Sequence, residues 1–210
     1  MATRIFSIIA FVLSITTSLA QELFFAPEIL FGNRSHTYLH LVRYHFNERW
    51  SVNNLTQFDT EYTDDSNNIF FIRNTATYKL SSAFFTNVSI GVKSPGHFAT
   101  ASLQYRFSKE HFSARYSAGT TYQIGFTFEQ SLVVNYTPQI SRDLKAYFNL
   151  LAIANLDFQE YQRGLQQLRL GLVSRKMAYG IGLNLDQFNN TSKTLSNIGL
   201  FIKYTLISEI

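Results

Sequence analysis

The sequence predicts an all-β chain: a single antiparallel transmembrane β-barrel of about twelve strands, joined by short turns and loops. Three observations lead to that class. The first twenty residues have the layout of a secretory signal, the rest alternates apolar and polar residues over stretches of strand length, and the composition favours strands. Of 210 residues 20 are Phe and 12 Tyr, whereas 3 are Pro and 10 Gly, so side chains suited to a pleated surface are plentiful and breakers sparse.

Residues 1–20 carry one cation, Arg4, then an apolar run from Ile5 to Leu13, and end on Ser18, Leu19 and Ala20. Small side chains at Ser18 and Ala20 fit a signal-peptidase site, so cleavage is expected after Ala20, leaving 21–210 as the barrel. The run is shorter than the roughly 20 residues a spanning helix needs, and no later apolar segment reaches that length. A transmembrane strand needs only about 9–11 residues of alternating character. The chain has no cysteine, hence no disulfide framework and no thiolate metal site. Its net charge of +4 falls to +3 without Arg4, and the cations are scattered, which gives nucleic acid no footing.

The strands follow from period-two alternation. Residues 23–31 and 37–46 carry apolar side chains on both faces and 53–62 are mostly polar, so these three are the least regular and ten strands is the alternative count. Further on the pattern sharpens. Ala101, Leu103, Tyr105 and Phe107 oppose Thr100, Ser102, Gln104 and Arg106, and Phe112, Ala114 and Tyr116 oppose Ser113, Arg115 and Ser117. Phe126, Phe128, Leu132 and Val134 oppose Thr127, Glu129, Ser131 and Asn135. Over 143–158 every even position is apolar, and 168–172 and 177–185 repeat the separation. Polar connectors such as Asn47-Glu48-Arg49, Ser108-Lys109-Glu110 and Ser174-Arg175 divide the segments. An even count lets an antiparallel barrel close with both termini at one end.

Which face meets lipid follows from the two sets. The polar set mixes Gly125, Ser131, Gly171, Gly180 and Gly182 with charges, as a crowded wet lumen requires. The apolar set is bounded by Tyr105, Phe107, Tyr136, Phe158 and Tyr179, which suit interfacial girdles. An exported soluble β-barrel binding protein would alternate too, with the faces inverted, and is the alternative.

Polar parity turns Arg73, Gln104, Arg106, Arg115, Glu129, Lys145, Asp157, Arg169, Asn184 and Asp186 toward the lumen or its mouths, with a slight cationic excess. An Arg115–Glu129 ion pair across neighbouring strands is the expected bridge. Such pairs either plug a narrow barrel or form a constriction that weakly favours anions. Outer-membrane lipid hydrolases pair a His with a Ser two positions later, followed by Asn. His111 and Ser113 match that spacing, but Ala114 stands where Asn is required, so no enzyme is expected. His36, His40 and His45 do not share one strand face, and surface or girdle positions account for them; no metal or cofactor is expected.

In the final strand Asn197, Gly199, Ile202 and Tyr204 resemble, position by position, the assembly signal of outer-membrane proteins, although the chain runs on to Ile210. Turns at 44–51 and 105–113 make the mature chain similar to outer-membrane barrels of about 200 residues from Bacteroidota, a group that implies no reaction. The resemblance implies residence in the outer membrane, with its lipids and its barrel assembly machinery as partners. A structural barrel or a narrow channel for small solutes is the expected function.

Overall fold

The computed structural model describes residues 22–157, 161–188 and 194–209; the expected signal, Phe158 and the connectors at 159–160 and 189–193 lie outside them. The chain runs β1 (Glu22–Gly32), β2 (Ser35–His45), β3 (Trp50–Glu61), a single 3-10 turn at Asp65–Asn67, β4 (Ile69–Lys79), β5 (Phe84–Lys93), β6 (Gly96–Lys109) and β7 (Phe112–Tyr122). It continues through β8 (Phe126–Tyr136), β9 (Gln139–Ser141), β10 (Leu144–Leu156), β11 (Tyr161–Ser174), β12 (Met177–Phe188), β13 (Thr194–Tyr204) and β14 (Leu206–Glu209). β9 is a fragment beside the base of β10, and β14 extends β13 past Thr205 along β1. The described segments therefore make twelve staves of one antiparallel sheet.

Closure is direct. β1 pairs with β2 on one side, and on the other with β13, from Gly32↔Gly199 to Glu28↔Lys203, and then with β14 down to Glu22↔Glu209. That pairing defines a terminal end; the turns between β1 and β2, β3 and β4, and β5 and β6 lie at the far end. Connections are short because most joins are hairpins. Glu110 and Arg175 open the tight β6–β7 and β11–β12 turns with φ of 41° and 54°, the left-handed backbone that matches strand twist in two-residue loops.

Register sends alternate residues out and in. Val88, Ile90, Ile181 and Leu200 point outward and are 56–65% exposed. An apolar belt of that extent needs hydrocarbon around it; a water-soluble barrel would turn the same set inward. Rings flank the belt. Phe84–Tyr105 and Phe107–Phe112 pack with tilted rings toward the terminal end, and Tyr122–Phe126 and the edge-on His36–Tyr62 pair toward the far end.

All three irregular N-terminal segments are staves, which gives twelve and not ten. Their blurred alternation has a physical origin. β2 and β3 turn Leu39, Leu41 and Leu55 into the lumen, while His40, Asn54 and Thr56, of opposite parity, sit on the outer wall.

Candidate functional site

Two links cross the interior at one level, toward the far end. The Gln167 amide on β11 donates to Gln57 Oε1 on β3 at 2.9 Å, although four staves separate them by the shorter way round. Arg73 on β4 reaches over three staves to hold both Glu129 oxygens on β8 at 2.9 Å. Leu55, Leu151, Ile153 and Leu165 line the space beside these two links. Spanning contacts of this kind require long side chains from well-separated staves.

On one side of the barrel, β11 through β2, the lumen is filled. Arg169 is 1% exposed; its Nε donates to Glu28 at 2.7 Å and its Nη1 to the Leu168 and Leu183 carbonyls at 2.9 and 3.2 Å. Gly182 makes room for it: a Cβ there would stand 2.8 Å from Leu30 Cδ1 and 3.1 Å from Arg169 Cδ. Leu30, Phe201, Ala178 and Tyr147 pack as an apolar cluster beside it, and Asn184 donates to Thr37 at 3.1 Å. Toward the far mouth Asp186 holds Arg163, and Arg34 is clasped by Asp59 and Glu61.

The other side, β4 through β8, is open, and the atom-free space it borders, about 1380 Å³ and part of it continuous with solvent, is also lined by Leu39, Leu41 and Arg43 of β2, Glu28 of β1 and Arg169 of β11. Its wall is a lattice of short hydroxyls and amides bonded to their lateral neighbours: Thr75–Ser89 at 2.9 Å, Thr77–Asn87 at 2.8 Å, Thr100–Thr121 at 2.7 Å and Gln104–Ser117 at 2.7 Å. In its terminal third stand three guanidiniums. Arg106 lies 3.8 Å from the Phe85 ring centroid and bonds to Gln104, Arg43 lies 5.6 Å from that of Phe24, and Arg115 faces the same space. Among the described residues none of the three has a carboxylate within salt-bridge distance.

Arg73, Gln104, Arg106, Arg115, Glu129 and Arg169 thus border this space. Asn184 and Asp186 belong to the filled side, Lys145 shares the inward parity of Tyr147 near the terminal mouth, and Asp157 follows β10 at the far mouth. The expected Arg115–Glu129 pair does not form. The β7–β8 hairpin sets Arg115 opposite Val133 and Glu129 opposite Gly119, so Glu129 turns across the lumen to Arg73. Parity counting also omitted Glu28 and Arg43, whose strands have no clean polar face, and Arg163, which the alternation of β11 would have delivered. Asn197 is wholly buried at the β13–β1 seam. It accepts the Arg34 and Ser35 amides at 3.0 and 3.2 Å and donates to the Ser35 carbonyl at 3.1 Å. Gly199 lies on the same strand, where a Cβ would strike Phe31 O at 1.9 Å; Ile202 and Tyr204 face outward.

Among the described residues no cluster of three His, Cys, Asp or Glu side chains is arranged to hold a metal. His111 stands in the β6–β7 turn, and Ser113 takes its hydrogen bond from Asn135 at 3.4 Å. No family model and no curated protein matches the chain. Solved structures do. The KdgM porin in complex with disordered oligogalacturonate superposes with a TM-score of 0.54 at 11% identity, over 87% of this chain and 98% of that one. The NanC porin gives 0.52 at 10% identity, over 90% and 99%. At such identity the likeness is one of fold, and it is to porins at large, with nothing particular to Bacteroidota. The chain has the fold of bacterial outer-membrane porins: a transmembrane barrel with a polar, partly open lumen.

Proposed function

We propose that the barrel is a narrow outer-membrane channel for small anionic solutes, which pass along its open side and are selected by Arg43, Arg106 and Arg115. One observation carries this reading. In the far half Arg34, Arg73 and Arg163 are each neutralised by a carboxylate, whereas the three arginines of the terminal third are not. Unpaired guanidiniums in a confined polar passage repel cations and lower the barrier to anions. Support from a neighbour of the same fold is that the KdgM porin is described with oligogalacturonate, a chain of acidic sugars.

The test is the reversal potential of the purified protein in planar bilayers under a KCl gradient. Anion selectivity is expected for the native chain, with Arg115→Glu moving the potential toward the cation side. An unchanged potential overturns the selecting role. Gln57–Gln167 and Arg73–Glu129, which span the interior, favour a second reading, a structural barrel with a plugged lumen, and silent bilayers select it. Cleavage after Ala20, and insertion by an assembly machinery that reads Asn197, Gly199, Ile202 and Tyr204, complete the proposal.

A further inference from the structure

At one place on the outer wall five polar side chains join into a continuous chain. On β2 the Tyr38 hydroxyl lies 3.1 Å from His40 Nδ1, and His40 Nε2 lies 3.1 Å from Asn54 Oδ1 on β3. The Thr56 hydroxyl donates to the same oxygen at 2.9 Å, and Asn54 Nδ2 donates to Asn74 Oδ1 on β4 at 2.9 Å. These residues occupy the middle of their staves, Tyr38 and His40 in Ser35–His45, Asn54 and Thr56 in Trp50–Glu61, and Asn74 in Ile69–Lys79. They therefore lie near the midplane of the hydrocarbon, beyond the reach of lipid headgroups. Other outward polar groups are smaller features: Gln130 takes the Tyr116 hydroxyl at 2.6 Å, and Gln166 donates to Gln187 at 3.4 Å.

The chain ends in an unmet demand. Asn74 accepts from Asn54 but its own carboxamide N–H groups, on an exposed side chain, donate to nothing among the described residues. Lipid tails offer no acceptor, and polar side chains inside a membrane are found where another surface covers them. We infer that the β2–β4 outer face is the contact between two copies of this chain, related by a two-fold axis that passes close to Asn74. The carboxamide itself argues for a second copy. An isologous contact sets a group against itself, and an amide is self-complementary: each Asn74 supplies the acceptor lone pair and the donor that the other needs. Ala76, the next outward residue on β4, is small enough to let the two walls meet.

The native chain has no cysteine, so a single introduced thiol reports only contact between molecules. The Ala76→Cys variant in native membranes, treated with a short bis-maleimide, is compared with Leu170→Cys, an exposed outward position on β11, six staves round the barrel. A band of twice the monomer mass is expected for Ala76→Cys in about ten-fold excess over Leu170→Cys, because a face-to-face contact raises the effective thiol concentration. Adding Asn54→Leu and Asn74→Leu should remove the excess while the heat-modifiable compact band persists; if that pair does not fold, Asn74→Ala alone serves. Equal cross-linking of the two variants, no dimer with Ala76→Cys, a dimer indifferent to Asn74, or an adduct with a protein of different mass overturns the proposal.

Discussion

The filled and open sides of the lumen differ in how far their side chains reach. Across β11, β12, β13 and β1, glycine at Gly182 and Gly199 clears the wall, and Arg169, Leu30 and Phe201 extend into the space and meet. Across β4 to β7 the inward positions between the arginines include Thr75, Ser89, Ser102 and Ser117, short hydroxyl side chains, three of them bonded sideways to the adjoining strand. Twelve staves fix the girth of both sides equally. The passage is therefore closed on one arc by long residues that meet over glycines, and left open on the other, where short hydroxyls stand between the arginines.

The difference between the two sides rests most heavily on Arg169. Arg169→Ala leaves Glu28 buried with only Lys203 Nζ at 3.9 Å. Loss of a buried charge partner costs about 3–5 kcal/mol, which urea titration of the compact, heat-modifiable form measures; a loss below about 1 kcal/mol would mean that the filled side is wet and loosely held. Glu129→Gln cuts one of the two links that cross the interior. Expected are a cost of about 1.5–3 kcal/mol, the range for hydrogen bonds to charged groups, and a larger single-channel conductance as Arg73 is released; an unchanged conductance places the narrowest point elsewhere. Ser102→Ala removes a half-buried hydroxyl from the open wall, and the same titration should find a change in stability of no more than about 0.5 kcal/mol.

Much of this was legible in sequence wherever the lumen is wet and the outside greasy. From Ala99 to Leu185 parity sorts inward from outward residues on the described staves, with Val133, Leu151, Ile153 and Leu165 inward and Gln130 and Gln166 outward against the polarity of their faces. It blurs most over β2 and β3, where Leu39, Leu41 and Leu55 face the lumen while His40 and Asn54 sit in the outer polar chain. His40 is thus neither a girdle nor a lumen residue, and no local spacing announces it. Partnership across the lumen was equally hidden. Arg73 and Glu129 are 56 residues apart, and their meeting depends on barrel closure and on the β7–β8 register, which the turn at 123–125 sets and parity does not encode.

The Asn197 clasp has a consequence for how the molecule forms. Its bond to the Arg34 amide joins residues 163 apart, far beyond the separation of any hairpin pair, and loop-closure entropy makes such a contact the last to become favourable. Neighbouring staves can zip together as soon as each hairpin exists, yet until β13 arrives the growing sheet carries two unpaired rims open to any passing strand. A chain truncated before Thr194 should keep its hairpins, lose its ring, and aggregate through the exposed rims of β1 and β12.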